Sequence, residues 1–250
     1  MKEGSRQNKL GSRRVLPAPS LPTSLDAPRG PRRSRHPSMS CSTIINFYGR
    51  DFIITPDVLI PRPETEMMVD AVLNLAGKAY LPGVKPARRK LPQNCTILDV
   101  GTGSGCIAIA LALELPEAEI TACDISEKAL MVAQKNAEKL GAEVKFIKSD
   151  LLDSIDGDFD VAVANLPYVD ANWEWLDKKA LSREPALALY AKDGGLVLIK
   201  QLINQADERK VKYLILEADP CQHERVVKYA TEHGYSLLEK RGFAMIFIKG

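Results

Sequence analysis

The 250-residue sequence contains no run of about 18 uncharged apolar residues, so no segment of it reads as a membrane-spanning helix. It also lacks cysteine pairs. Cys41, Cys95, Cys106, Cys123 and Cys221 are scattered and odd in number, without the spacing of a zinc site or of a disulfide framework. Reduced, buried thiols in a cytoplasmic protein are therefore expected, with no metal site. A strong overall charge is missing too, because the net charge is only +2. That value hides an asymmetry: residues 1–40 carry nine Lys/Arg against two acids, +7, which leaves −5 for the rest of the chain. The body is thus not a basic nucleic-acid binder by composition, and any contact with nucleic acid is expected through the tail alone.

What is present divides into a tail and a body. Residues 1–42 are rich in Arg, Ser and Pro and have no apolar period of either kind. Such a segment cannot bury enough surface to offset its ordering entropy and is expected to be disordered. A basic arm for RNA, a transit peptide opposed by six prolines, and a translation start at Met39 are the three readings open for it. From Phe47, "FYGRDFIITPDVLIPRPETE" offers two short apolar runs around turn residues, a β-hairpin, leading into "TEMMVDAVLNLAGKA" at helical spacing. The segment 43–94 is accordingly read as hairpin, helix and a basic, Pro-rich linker ("LPGVKPARRKLPQN"), and 95–250 as the ligand-binding core.

Over the core, strands are expected at 95–100, 118–124, 143–148, 159–164 and 212–217, and helices near 104–114, 126–140, 195–208 and 221–233. This alternation predicts an α/β fold, a mostly parallel sheet with helices on both faces. The last two runs, "YSLLEKRG" and "FAMIFIKG", have no helix between them and should close the sheet as a hairpin with one antiparallel strand.

"TILDVGTGSGCIAIALALE" is a buried strand, a turn through Gly101, Thr102, Gly103, Ser104 and Gly105, and an Ala-rich helix. The glycines let backbone approach a ligand closely. A dinucleotide fold wants glycine at the third position of G-x-G-x-x-G, where this chain has Cys106, so the turn suits a ligand with no pyrophosphate. The next strand ends in Asp124, whose carboxylate can accept both hydroxyls of a ribose. It could instead cap the following helix, although Ser126 is available for that. Ser149, Asp150 and Leu151 follow the third strand. Asp150 could accept from an adenine amino group while Leu151 packs on the ring, or the segment could be a capped, solvated loop. A nucleoside without phosphates held by successive strand tips is most economically S-adenosyl-L-methionine, with S-adenosyl-L-homocysteine as product.

The fourth strand, "VAVA", stops at Asn165-Leu166-Pro167-Tyr168. An amide nitrogen is a poor nucleophile because its lone pair is delocalised, so a catalyst must hold its protons and aim it. The Asn165 side-chain carbonyl and the Leu166 backbone carbonyl provide two acceptors, and Tyr168 provides a flat face for stacking. Pro167 biases Leu166 toward extended conformations, which aims its carbonyl. Alignment with a sulfonium methyl then supplies rate through orientation, without a strong base.

On "LIPRPETE", "ILDVGTGSGCIAIALA", "ACDIS", "NLPY", "REPALAL" and "LEADPCQ", the span from about Phe47 to Lys249 resembles the HemK/PrmC family of S-adenosylmethionine-dependent protein glutamine methyltransferases. The resemblance implies a class I, Rossmann-like methyltransferase fold with a seven-stranded sheet, acting in translation termination. It implies the glutamine of a Gly-Gly-Gln tripeptide in a peptide-chain release factor as acceptor. A monomer is expected. The resemblance also implies supporting roles near the cofactor for Arg62, Glu64, Thr65 and Glu66, a role for Glu184-Pro185 in the loop after the tetrapeptide, and a structural role for Glu217 and Gln222. Trp173 and Trp175 sit in that loop as a substrate-side lid or as packing. The family's tetrapeptide is Asn-Pro-Pro-Tyr, where this chain has Leu166, and the family carries an N-terminal helical docking domain where this chain has its tail. "NLPY" is also typical of ribosomal RNA adenine dimethyltransferases, and a non-catalytic S-adenosylmethionine sensor is the remaining alternative. The longer "IPRPETE" block favours protein glutamine.

Overall fold

A computed structural model describes residues 42–78, 90–174, 176 and 184–250, so the expected tail, most of the linker and Trp175 lie outside the described residues. The chain enters through a hairpin, β1 (Thr43–Phe47) and β2 (Arg50–Ile54), paired antiparallel about Tyr48-Gly49. Both turn residues have positive φ, +51° and +72°, as a two-residue hairpin turn of matching twist requires. Tyr48 holds that left-handed conformation while its N–H donates to Glu66 Oε1 at 2.6 Å and its hydroxyl donates to Asp70 Oδ1 at 2.8 Å. The first strand lies upstream of the Phe47 start read from the apolar pattern, and "DVLI", the second apolar run, is a loop.

Both acids belong to α1 (Glu66–Leu75), whose Met68, Val69, Val72 and Leu73 are fully buried. The core then alternates β3 (Thr96–Val100), α2 (Cys106–Glu114), β4 (Glu119–Asp124), α3 (Glu127–Leu140), β5 (Lys145–Lys148) and β6 (Val161–Ala164). It continues through a single turn α4 (Ala186–Leu189), α5 (Val197–Glu208), β7 (Tyr213–Glu217), α6 (His223–Glu232), β8 (Tyr235–Arg241) and β9 (Ala244–Lys249). The strands form one seven-stranded sheet in the order β5-β4-β3-β6-β7-β9-β8. Strands β3 to β7 are parallel, and β9 runs antiparallel to both neighbours, the closing hairpin that the missing helix predicted.

Strands β6 and β7 are buried at every residue because helices cover both faces, which is why they read as unbroken apolar runs. Alternate residues divide between two cores. Ile97, Val163 and Ile215 pack with α1 and α2, whereas Leu98, Ala162 and Leu214 pack with Ile199 and Leu202 of α5 and Val226 of α6. Helix α2 starts two residues later than expected because Gly105 is left-handed, at φ +82°. Helix α5 likewise begins after Gly194 and Gly195, both at positive φ. Strand order reverses at β3, which has β4 on one side and β6 on the other, and this opens a crevice at their carboxyl ends.

Candidate active site

The carboxyl ends of β3, β4, β5 and β6 surround a cavity of about 320 Å³ in that crevice. Each strand tip contributes residues singled out in the sequence: Gly101 to Ser104, Asp124, Ser149 to Leu151, and Asn165 to Pro167 all line it. The segment from Pro56 to Thr65, the stretch around Pro185 and Leu187, and residues at the starts of α2, α3 and α5 complete the wall.

The glycine loop is shaped from below. Asp99, 1% exposed within β3, accepts from the Thr102 hydroxyl at 2.7 Å and from the Ala108 N–H at 3.1 Å through Oδ2. Its Oδ1 has no hydrogen-bond partner among the described residues. Burial pushes its carboxyl up to about 7, against the pull of the two donors. Sequence reading missed Asp99. The available signal was a charged residue inside an otherwise apolar strand just before the glycines. Gly105 faces the opposite way: a Cβ there would stand 3.0 Å from the Ala133 Cβ and 3.2 Å from its Cα, so glycine lets α3 approach the loop. A Cβ on Gly103 would meet nothing within 4 Å. Gly103 is also one of the residues that line the cavity.

Asp124 ends β4 with both oxygens engaged. Oδ2 accepts from the Gly103 N–H at 2.9 Å and Oδ1 from the Ser126 N–H at 2.8 Å. Burial raises its proton affinity, and the backbone donors of Ser126, Gly103 and Ile125 oppose the shift. Capping of α3 falls to Ser126, whose hydroxyl accepts from the Ala129 N–H at 3.2 Å. Asp150 is exposed at the rim, and Leu151 is buried with a left-handed φ of +46°.

At the β6 tip, Asn165 Nδ2 donates to Thr65 Oγ1 at 3.1 Å, and the Leu166 side chain is buried against Gly101. Tyr168 does not line the cavity. Its hydroxyl donates to Glu217 Oε1 at 3.0 Å, and burial together with the Glu217 charge pushes the phenol far above its ordinary range. Gln222 fixes the backbone there: its Nε2 donates to the Tyr168 carbonyl at 2.8 Å and the Gly194 carbonyl at 2.7 Å, and its Oε1 accepts from the Asp219 N–H at 3.0 Å. Glu217 is 2% exposed at the end of β7 and has its proton affinity raised by burial.

The upstream block and the loop after the tetrapeptide meet through Glu184, which pairs with Arg62 and accepts the Ile60 N–H at 3.0 Å. Glu66 stands apart from the cavity, engaged by Tyr48. Trp173 is half-buried and outside the cavity wall. Asn136, fully buried on α3, was also missed. Its Nδ2 donates to the Ile53 and Ser104 carbonyls, each at 2.9 Å, and its Oδ1 accepts from the Ile53 N–H at 2.7 Å, joining the hairpin to the glycine loop. Among the described residues no group of three His, Cys, Asp or Glu could hold a metal ion, and no helix is long and apolar enough to cross a membrane.

Strand order, glycine loop and the acid at the β4 tip together define a methyltransferase of the Rossmann-like class, and residues 86–212 match the family described as "Methyltransferase small domain". The fold is shared with the Thermus thermophilus 16S rRNA N2 G1207 methyltransferase solved with AdoMet and guanosine, at a TM-score of 0.59 and 16% identity, covering 85% of this chain and 51% of that one. The chain is 44% identical over 165 residues to the release factor glutamine methyltransferase of Koribacter versatilis, covering 65% of this chain and 54% of that protein. It is 38% identical over 198 residues to the protein of that name from Neisseria gonorrhoeae, covering 77% and 67%. This chain belongs to the release factor glutamine methyltransferase family, and it spans between about half and two thirds of the length of these relatives.

Proposed function

We propose that this chain transfers the methyl group of S-adenosyl-L-methionine to the side-chain amide nitrogen of a protein glutamine, and that the acceptor is the Gly-Gly-Gln glutamine of a peptide-chain release factor. The observation that carries this reading is the turn of Asn165: with Nδ2 given to Thr65, its carbonyl Oδ1 is the atom left to receive an acceptor's N–H. The Leu166 carbonyl takes the second proton, and between them they hold a planar nitrogen in line for attack.

The cavity suits the cofactor in three respects: open space above Gly103, a carboxylate at Asp124 with lone pairs to spare for ribose hydroxyls, and apolar surface at Leu151 and Leu166. Asp150 at the rim accepts the adenine amino group. When bound, S-adenosylmethionine supplies an electrophilic methyl on a sulfonium sulfur. The protein orients both partners and excludes water. Arg62 and Glu184 fasten the upstream segment beside Pro185 and Leu187, which line the cavity with it.

A labelled-methyl assay offering purified release factor and ribosomal RNA side by side tests the assignment. Label on the release-factor glutamine alone is expected. Label in RNA alone would overturn it in favour of an adenine enzyme, and calorimetric cofactor binding without transfer to either would make the chain a sensor.

A further inference from the structure

Gln222 lies outside the cavity wall and is 2% exposed, and both polar atoms of its side chain are engaged. It closes the 3₁₀ turn Pro220–Gln222 between β7 and α6. Its Oε1 accepts from the Asp219 N–H at 3.0 Å, which fixes the orientation of the amide and commits the nitrogen to the other side. Nε2 there donates to the Tyr168 carbonyl at 2.8 Å and to the Gly194 carbonyl at 2.7 Å, using both of its protons. Tyr168 is held a second time through its hydroxyl, which donates to Glu217 Oε1 at 3.0 Å.

Against the same Tyr168 carbonyl lies the turn Asp193-Gly194-Gly195, with φ of +58°, +63° and +84°. Left-handed backbone at a residue other than glycine is strained, and it persists where several partners hold it, commonly beside a functional site. Here Lys200 of α5 donates to Asp193 Oδ2 at 2.7 Å, and Arg225 of α6 donates to Asp193 Oδ1 at 3.1 Å. A Cβ on Gly195 would stand 1.9 Å from the Tyr168 carbonyl oxygen and 2.5 Å from Gln222 Nε2. The turn thus lays bare backbone against the last carbonyl of the tetrapeptide.

The other end of the tetrapeptide is fixed as well. Ala164 of β6 pairs with Val100 and Leu216, and the Leu166 side chain is buried against Gly101. Between these anchors Pro167 has its φ locked. The direction of the Leu166 carbonyl is then set by where the chain is held at Tyr168. We propose that Gln222 is a positioning residue for methyl transfer: by holding the Tyr168 carbonyl against the Gly194-Gly195 turn, it aims the Leu166 carbonyl at the acceptor's N–H. This rests on the glutamine reading above and deepens it. Without the amide, the span from Leu166 to Tyr168 gains freedom and the acceptor nitrogen is no longer kept in line with the methyl group. The cofactor should not feel the loss, because Tyr168, Gly194, Gly195 and Gln222 are all absent from the cavity wall.

The test uses the whole chain labelled with [1-¹³C]tyrosine and [¹⁵N]valine. Tyr168-Val169 is the only Tyr-Val step in the sequence, so a single ¹⁵N signal carries the ¹³C coupling and reports the Tyr168 carbonyl. In Gln222→Met that carbon should move upfield as its hydrogen bond is lost. Release-factor methylation, counted per cofactor-binding site from calorimetric stoichiometry, should fall about 100-fold in kcat with the cofactor Kd within about twofold. Gly195→Ala, which pushes the same carbonyl from the turn, should fall comparably, and the double variant should lose no more than the worse single one. Tyr235→Phe is the control for structural damage alone: it removes a 2.8 Å hydrogen bond to the Val211 carbonyl at the opposite end of β7 and should change neither the Tyr168 carbon nor kcat per site. An unmoved Tyr168 carbon in Gln222→Met, a kcat per site within about twofold of wild type, or an equal loss in Tyr235→Phe would overturn the proposal. If the wild type methylates RNA and no glutamine, while Gln222→Met moves the carbon and slows that transfer as strongly, the acceptor assignment fails and the positioning role stands.

Discussion

The Gly103 N–H donates to Asp124 Oδ2 at 2.9 Å, so the loop after β3 is tied to the tip of β4 by the same carboxylate that faces the cavity. Bracing and ligand contact are therefore one function at Asp124. Asp124→Ala removes the acceptor for the Gly103 and Ser126 N–H groups and for the ribose, and a hydrogen bond is worth about 0.5–3 kcal/mol depending on charge. Calorimetry should show cofactor affinity weakened by about 10- to 100-fold in a protein that still melts cooperatively. An unchanged Kd would mean the ribose lies elsewhere.

Two glycines of one loop should fail in different ways. In Gly105→Ala the new methyl meets the Ala133 backbone at 3.2 Å, with φ at +82°. Left-handed backbone alone costs an alanine about 1–2 kcal/mol, and the clash with α3 adds to it, so urea unfolding should register the loss. Gly103→Ala carries a left-handed φ of +55° but meets open space. It should cost only the backbone term while weakening cofactor binding more than its sibling. Equal effects on stability and binding in both variants would refute this division.

Much of this was legible in sequence because the signals are local. Continuous apolar runs named β6 and β7, glycine spacing named the loop, and Ser126 before an amphipathic stretch named the start of α3. What was not legible depends on partners far along the chain. Asn165 meets Thr65 from 100 residues away, and Tyr168 meets Glu217 from 49. The tetrapeptide alone suggests a tyrosine stacked on substrate, and only the fold reveals that its hydroxyl is spent on β7. Helix starts near Gly105 and Gly195 ran early for a related reason, since apolar spacing does not report the sign of φ.

Asn165→Ala should abolish methyl transfer and leave cofactor affinity within about twofold, since the lost amide acts on the acceptor and orientation of the nucleophile is worth orders of magnitude. Single-turnover transfer and calorimetry on the same preparation separate the two quantities. Full activity in this variant would remove Asn165 from the reaction.

Asn136 gives the hairpin a measurable attachment. Asn136→Ala leaves the Ile53 N–H and the Ile53 and Ser104 carbonyls without their partner. At about 1–3 kcal/mol for a buried group left unsatisfied, the global stability should drop by about 2–4 kcal/mol. Limited proteolysis should open β1 and β2 before the sheet. A loss under about 0.5 kcal/mol would show that Phe47 and Phe52 packing holds the hairpin unaided.

Asp99 should make stability fall as the solution becomes less acidic. Its carboxyl moves from 3.8 to about 7 on burial, so the folded chain keeps a proton that the unfolded chain releases. Stabilisation from that proton is fully present below pH 4 or so and is lost as pH rises through about 7. Each tenfold change in proton affinity corresponds to about 1.4 kcal/mol, so the whole effect is on the order of 4 kcal/mol. Asp99→Asn keeps the volume and an acceptor for Thr102 and Ala108 but cannot ionise. Relative to wild type it should therefore gain stability between pH 5 and pH 8 in urea unfolding of the protein without cofactor. Parallel pH profiles for the two proteins would show that the Asp99 proton is not what the folded state retains, and that Thr102 and Ala108 hold the carboxylate ionised throughout.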